Sequence, residues 1–259
     1  MGFKYSANVG FLWEHLPLPD RIRAAAQAGF DAVECHFPYE FAADEIASVL
    51  NANNIPMIGI NTLLGPPDEG YFGVAAIAGK EALAQKYIDQ AIHYAAAVGA
   101  NNVNVVAGAS ADSSTSEAVY LENLSYACQK AADLGITIVI EPLNPRSVPG
   151  YHFSRVEHAV SIIDSVAEDN LKLMFDFFHT QIVQGDLATL LVQYRHYIGH
   201  IQISAVHDRG EPDVGEVNYP FLLNLLATNG YKGYIGAEYK PRGESVEFGL
   251  GWLDEFRQH

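Results

Sequence analysis

The sequence predicts a single (β/α)8 TIM barrel, α/β in class and occupying residues 1–259 as one domain. Three observations carry this. Apolar, β-branched runs alternate with segments of helical periodicity. The alternation occurs eight times, at roughly 32 residues per unit, which suits a barrel of about 250 residues. Several helical segments also close on a glycine just before the next apolar run begins.

The runs are "KYSAN" (4–8), "AVECH" (32–36), "IPMIGIN" (55–61) and "NVNVVAG" (102–108), followed by "ITIVIEP" (136–142), "LKLMFD" (171–176), "HIQIS" (200–204) and "YIGAE" (234–238). Most are apolar throughout rather than alternating, as expected of parallel strands covered on both faces. Between them, "DRIRAAAQAGF", "KEALAQKYIDQAIHYAAAVGA", "AVYLENLSYACQKAADLG" and "FLLNLLATNGY" place apolar residues at helical spacing. Gly29, Gly99, Gly135 and Gly230 suit the left-handed turn that ends a helix. An open doubly wound sheet would alternate in the same way, but its G-x-G-x-x-G turn is missing: "SANVGFLWEHLPLPD" after the first run has one glycine. No Pro/Ser-rich linker divides the chain.

Composition excludes several classes. Fifteen Lys and Arg stand against 31 Asp and Glu, a formal net charge of −16, which repels polyphosphate and anionic lipid. Nucleic acid and membrane surfaces are therefore not expected partners. No apolar stretch approaches the roughly 20 residues of a membrane span. The start, "MGFKYSANVGFLWEHLP", lacks the pattern of a secretory signal, so a cytoplasmic protein is expected, with a homo-oligomer left open. Cys35 and Cys128 fit no metal or redox spacing and read as reduced packing residues.

The chemistry lies at the ends of the last four runs, which finish in Glu141 ("VIEPLN"), Asp176 ("MFDFFH"), Gln202 ("HIQIS") and Glu238 ("GAEYKP"). Successive members are about one βα unit apart, so adjacent strands bring all four to the C-terminal rim, where barrels of this kind keep their active sites. Three carboxylates that close repel one another unless they share a proton or a cation. An all-oxygen ligand set favours Mg²⁺ or Mn²⁺ over Zn²⁺. His179, three residues beyond Asp176, either hydrogen-bonds a substrate oxygen, the preferred reading, or anchors its own loop. Glu34 and His36, ending the second run, read equally well as supporting contacts or as structure. The loop "NTLLGPPDEGYFGVAAIAG" after the third run carries Tyr71 and Phe72, which either cover the pocket or belong to an ordinary surface loop.

With these residues in place, the chain resembles the hydroxypyruvate isomerase family, which includes 2-oxo-tetronate isomerases, within the xylose isomerase-like barrel superfamily. The resemblance rests on "AGFDAVE", "VIEPLNPRSVPGY", "HTQIVQGDLA", "GHIQIS", "RGEPDVGEVNYP" and "GAEYKPRG", spread over nearly the whole chain. It implies a divalent metal on Glu141, Asp176, Gln202 and Glu238, acid/base roles for Glu141 and Glu238, and substrate contact at His179. Related ketose epimerases carry His where Gln202 stands. Phe177 and the pair His207-Asp208 depart from the usual family residues beside the site.

The expected activity is isomerisation of hydroxypyruvate to tartronate semialdehyde, or of a related 2-oxo sugar acid, through a cis-enediolate. Arg209, Lys240 and Arg242, following the last two runs, are candidates to bind the carboxylate of such a 2-oxo or hydroxy acid. The alternatives are a ketose 3-epimerase acting on neutral sugars, a metal-dependent endonuclease, which the acidic charge disfavours, and a non-catalytic sugar-acid binding protein.

Overall fold

The computed structural model describes residues 2–110 and 113–258. Its strands are β1 (Tyr5–Asn8), β2 (Ala32–Cys35), β3 (Met57–Asn61), β4 (Asn102–Asn104), β5 (Thr137–Ile140), β6 (Leu171–Asp176), β7 (Ile198–Ile203) and β8 (Ile235–Ala237). All pair in parallel in chain order, and β8 returns to β1 through Tyr5–Ile235 and Ala7–Ala237 to close the barrel. The helices are α1 (Leu18–Gln27), α2 (Ala43–Ala52), α3 (Glu81–Val98), α4 (Ser113–Ala132), α5 (Val156–Val166), α6 (Phe177–Val183), α7 (Leu187–Gln193), α8 (Tyr219–Thr228) and α9 (Gly251–Phe256). The closed barrel agrees with the fold read from the sequence.

Local chemistry explains the element ends. Gly99 ends α3 at φ 77°, and Gly29, Gly135 and Gly230 also take positive φ where a helix hands over to a strand. Asp176 is both the last residue of β6 and the cap of α6, its carboxylate accepting the Phe178 N–H at 2.7 Å. That cap turns the chain at once into a helix and brings His179 back over the strand end. The fourth strand is shorter than its apolar run suggests. Beyond Asn104 the chain leaves the sheet, and the carbonyls of Val106 and Ala107 accept N–H groups of Ala75 and Ala76 from the loop after β3.

Both sides of the sheet are covered. Outside, Trp252 of α9 packs edge-on against Tyr5 at 5.6 Å and near Phe30 and Tyr239, sealing the seam between the last and first strands. Cys35 and Cys128 are buried free thiols, and burial pushes both up to about 12. Inside the barrel the filling is partly polar. Gly236 has no side chain because a Cβ there would stand 2.6 Å from Glu34 Oε2 and 3.0 Å from the Gln202 side chain. Among the described residues no helix is long and apolar enough to cross a membrane.

Candidate active site

Eight strands deliver polar side chains to one end of the barrel, at or just past the last paired residue. Gln202 lies opposite Asp176 in register, and Gly236 lies opposite Gln202. A register shift between Leu173 and Met174 in β6 precedes that alignment, as bulges often do where a side chain must be re-aimed. Glu141 and Glu238 each follow their strand by one residue. All four are buried. Above them opens a cavity of about 520 Å³, walled by Glu141, His179, Arg209, Glu238, Lys240 and Phe11 among others. Asp176 and Gln202 are not in its lining and sit beneath it.

A carboxylate network supports the floor. Glu34 accepts hydrogen bonds from Ser6 Oγ (2.8 Å) and Gln202 Nε2 (2.7 Å), with His200 Nε2 at 2.8 Å. Gln202 gives its other amide hydrogen to Glu238 Oε2 at 2.5 Å, and Asn8 Nδ2 donates to the same oxygen at 2.8 Å. Both amide hydrogens of Gln202 are therefore used, and its carbonyl oxygen is buried without a partner. Glu141 Oε1 is in the same condition. Buried acceptors are normally satisfied, so two oxygens without donors among three carboxylates fit a hard cation.

Arg209 is the protein's own cation here. Its Nη2 donates to Asp176 Oδ2 at 3.2 Å and in a short bond to Glu238 Oε1, and its guanidinium lies 4.8 Å from the Phe178 ring centroid and 5.2 Å from that of Phe11. The residue sits at φ 59°, a left-handed backbone that is costly for a side chain and is commonly kept where function requires it. Charge follows from this arrangement. Burial, then the neighbouring Glu238 and Asp176, push Glu141 well above the usual carboxylate range. Burial raises Asp176 to about 7 even against Arg209. Burial also opposes the charge on Glu238, but Arg209 and His36 outweigh it and hold that carboxyl at about 2. Glu238 is thus favoured as the ion while Glu141 is pushed toward the neutral acid, a separation typical of acid/base pairs.

His179 is held in one tautomer. The Asn144 backbone N–H donates to its Nδ1 at 2.9 Å, which puts the ring proton on Nε2. Burial, then Arg209, lower its pKa to about 3, so the ring is neutral. Its Nε2–H faces Asp176 Oδ2 at 3.6 Å and Glu141 Oε1 at 3.9 Å. Although His179 lies close enough to these carboxylates to share an ion, this tautomer makes Nε2 a donor rather than a ligand. Arg209 Nη1 also stands 3.0 Å from Nε2, a donor facing a donor.

The remaining candidates divide. Lys240 lines the cavity with its Nζ 5.8 Å from the Phe11 centroid. Arg242 does not line it: its guanidinium is tied to Asp208 at 2.7 and 2.9 Å and to Glu211 at 3.2 Å, and it lies over Gly210, where a Cβ would stand 2.4 Å from it. Of the loop after β3, Phe72 and Leu64 reach the cavity wall and Tyr71 does not. His36 lines the cavity and lies 3.6 Å from Glu238. Phe177 is fully buried against Phe175 and Tyr219 rather than at the cavity, whereas His207 and Asp208 line it. Sequence reading passed over Asn8, Asn104 and His200. The signal for Asn8 was available, since it ends its apolar run as Asp176 does, whereas Asn104 is followed by further apolar residues and marks a strand end only in the structure.

The chain is similar to known proteins over nearly its whole length. Residues 22–256 match the family described as xylose isomerase-like TIM barrel. The chain is 43% identical to a 2-oxo-tetronate isomerase of Cupriavidus necator, with 98% of each chain covered. It is 35% identical to the hydroxypyruvate isomerase of Escherichia coli, over 98% of this chain and 99% of that one. A solved structure titled AP endonuclease, family 2, from Brucella melitensis superposes with a TM-score of 0.95 at 38% identity, covering 98% of this chain and 99% of that one. A 3-keto-D-glucoside 4-epimerase of E. coli shares the fold, with a TM-score of 0.80 at 22% identity and coverage of 98% and 100%. With its closed barrel and its acids gathered at the strand ends, the chain belongs to the xylose isomerase-like TIM barrel family.

Proposed function

We propose that the protein is a metal-dependent isomerase that interconverts hydroxypyruvate and tartronate semialdehyde, or a related 2-oxo sugar acid such as 2-oxo-tetronate, by proton transfer through a cis-enediolate. The observation that carries this is the joint presence, around one cavity, of Glu141 and Glu238 with the cations Arg209 and Lys240. The isomerase relatives, matched over nearly their full length, support the same reading.

Glu141, Asp176, Gln202 and Glu238 would hold Mg²⁺ or Mn²⁺, which when bound supplies Lewis-acid stabilisation of charge developing on the substrate oxygens. Glu238 and Glu141, from strands three steps apart around the ring, move the carbon-bound proton: one takes it from the hydroxylated carbon and the other returns one to the former carbonyl carbon, while the hydroxyl proton passes to the former carbonyl oxygen. His179 donates its Nε2–H to a substrate oxygen. Lys240 and Arg209 bind the substrate carboxylate. Arg242 acts through Asp208, bracing the loop that carries Arg209. Phe11, Phe72 and Phe178 give the cavity apolar walls that limit water around the reacting carbons.

An endonuclease reading would need a basic surface for phosphates, and the net charge of −16 opposes it. A neutral-sugar 3-epimerase would have no use for two cations at the cavity. The deciding experiment offers hydroxypyruvate, 2-oxo-tetronate and neutral ketoses to metal-stripped and Mg²⁺- or Mn²⁺-loaded protein and follows products by NMR. Metal-dependent turnover of a 2-oxo acid supports the proposal. Efficient epimerisation of neutral ketoses with 2-oxo acids ignored would replace it.

A further inference from the structure

Outside the cavity, three side chains from separate segments converge: Glu117 of α4, His152 of the segment between β5 and α5, and His158 of α5. We propose that they form a second divalent-cation site, selective for the Zn²⁺ class over Mg²⁺.

Glu117 Oε2 lies 2.8 Å from His152 Nε2 and 3.1 Å from His158 Nε2, and one ligand atom of each residue lies within 4.8 Å of the other two. Tetrahedral zinc with bonds of about 2.0–2.2 Å separates neighbouring ligand atoms by roughly 3.3–3.5 Å. The two sides that meet at Glu117 are therefore a few tenths of an ångström tighter than an ion requires, an adjustment within reach of χ rotations in Glu117 and His158, and the side between the histidines is within 4.8 Å. Two imidazoles and one carboxylate are also the donor set that favours Zn²⁺, Co²⁺ or Ni²⁺, whereas the cavity acids offer oxygen alone.

The surroundings are those of a prepared ligand set. The His152 side chain is 1% exposed, with its ring edge-on to Tyr120 at 5.6 Å and to Phe153 at 6.1 Å. Its other nitrogen, Nδ1, lies 3.2 Å from Ser110 Oγ, the outer contact that commonly orients a metal-binding histidine. Burial lowers the pKa of His152, which keeps the ring neutral and free to ligate. His158 and Glu117 are 39% and 31% exposed, leaving an open side for a water as fourth ligand. The ion would tie α4 and α5 to the segment under Tyr151, which walls the cavity and whose hydroxyl accepts the Ala107 N–H at 3.0 Å.

The test measures Zn²⁺ stoichiometry by equilibrium dialysis on the full chain and on the variants Glu117→Gln and His158→Ala. His158 is partly exposed, so its replacement leaves the core intact. Wild type should bind one equivalent more than either variant, whatever the cavity itself binds, and Zn²⁺ should raise the thermal midpoint of wild type by more than that of either variant. In ¹⁵N-histidine NMR the ring resonances of His152 and His158 should shift on adding Zn²⁺ and stay fixed on adding Mg²⁺. Equal stoichiometry in all three proteins, or ring resonances that ignore Zn²⁺, would overturn the proposal and leave a carboxylate hydrogen-bonded to two histidines.

Discussion

Gln202 donates one amide hydrogen to Glu34 across 2.7 Å and the other to Glu238 across 2.5 Å, so only its carbonyl oxygen is left to offer. Glu34 thereby decides which end of the amide serves a cation, although it need not touch the cation itself. In Glu34→Gln the acceptor charge is gone and the Gln202 amide is free to turn over. Mn²⁺ affinity should fall by about 10- to 100-fold, as for other supporting contacts of metal ligands. Titration calorimetry checks this, and an unchanged Mn²⁺ affinity would remove Glu34 from the account.

Arg209 lies between Asp176 and Glu238, where a bound metal would also be attracted. Because it contributes positive charge among the ligands, Arg209→Met should leave Mn²⁺ affinity equal or tighter. The same change should lower kcat/KM for hydroxypyruvate by about 10- to 100-fold, reflecting a lost charge-assisted contact worth roughly 1.5–3 kcal/mol. A loss of metal binding in this variant would mean that the guanidinium organises the ligands instead of the substrate.

Lys240 and Arg242 separate direct contact from bracing. Lys240→Met should impair hydroxypyruvate turnover mainly through KM, since Lys240 faces the cavity. Arg242→Met should cost less, because its partners are Asp208 and Glu211. Steady-state kinetics on both variants decides the order, and the reverse order would return Arg242 to the carboxylate contact.

The acids also set a pH dependence. With a folded pKa of about 7 for Asp176 against about 3.9 when unfolded, the folded state binds more protons between those values. Stability of the metal-stripped protein should therefore fall as pH rises from about 4 to 7, and the raised Glu141 works in the same direction. Glu238, held at about 2, contributes stability that is present above about 4.3 and lost only as pH falls toward 2, so it does not reverse the trend. Thermal melts at pH 5.5 and 7.5 should show the lower midpoint at 7.5, with the difference reduced in Asp176→Asn and on adding Mn²⁺. A midpoint that rises over this range would contradict the buried-acid account.

Much of this was legible in the sequence because parallel barrels convert a one-dimensional pattern into position. An apolar run reports a strand covered on both faces, and the polar residue that ends it is carried to the rim. Glu141, Asp176, Gln202 and Glu238 could be read in that way, and the same rule applied to β1 would have pointed to Asn8, whereas Asn104 lies inside an apolar run that continues past the end of β4. Arg209 and Lys240 could be named but not placed, since neither has a periodic pattern around it. The left-handed turn at Arg209 and the Arg242–Asp208 brace set its position, and both depend on contacts between β7 and β8 loops. The tautomer of His179 was likewise out of reach, because it depends on one backbone N–H of Asn144, 35 residues away. Glu117, His152 and His158 meet only because α4 and α5 are neighbours on the outside of the barrel.

The most direct measurement follows hydroxypyruvate in D₂O by ¹H NMR with Mg²⁺-loaded wild type, with metal-stripped protein, and with Glu141→Gln and Glu238→Gln. The expected result is tartronate semialdehyde carrying solvent deuterium at the carbon that was the carbonyl, formed only with metal and slowed by about 10²- to 10⁴-fold in each variant. Full activity in the stripped protein, or product that retains all of the substrate's hydrogen under every condition, would contradict a metal-dependent proton transfer through an enediolate.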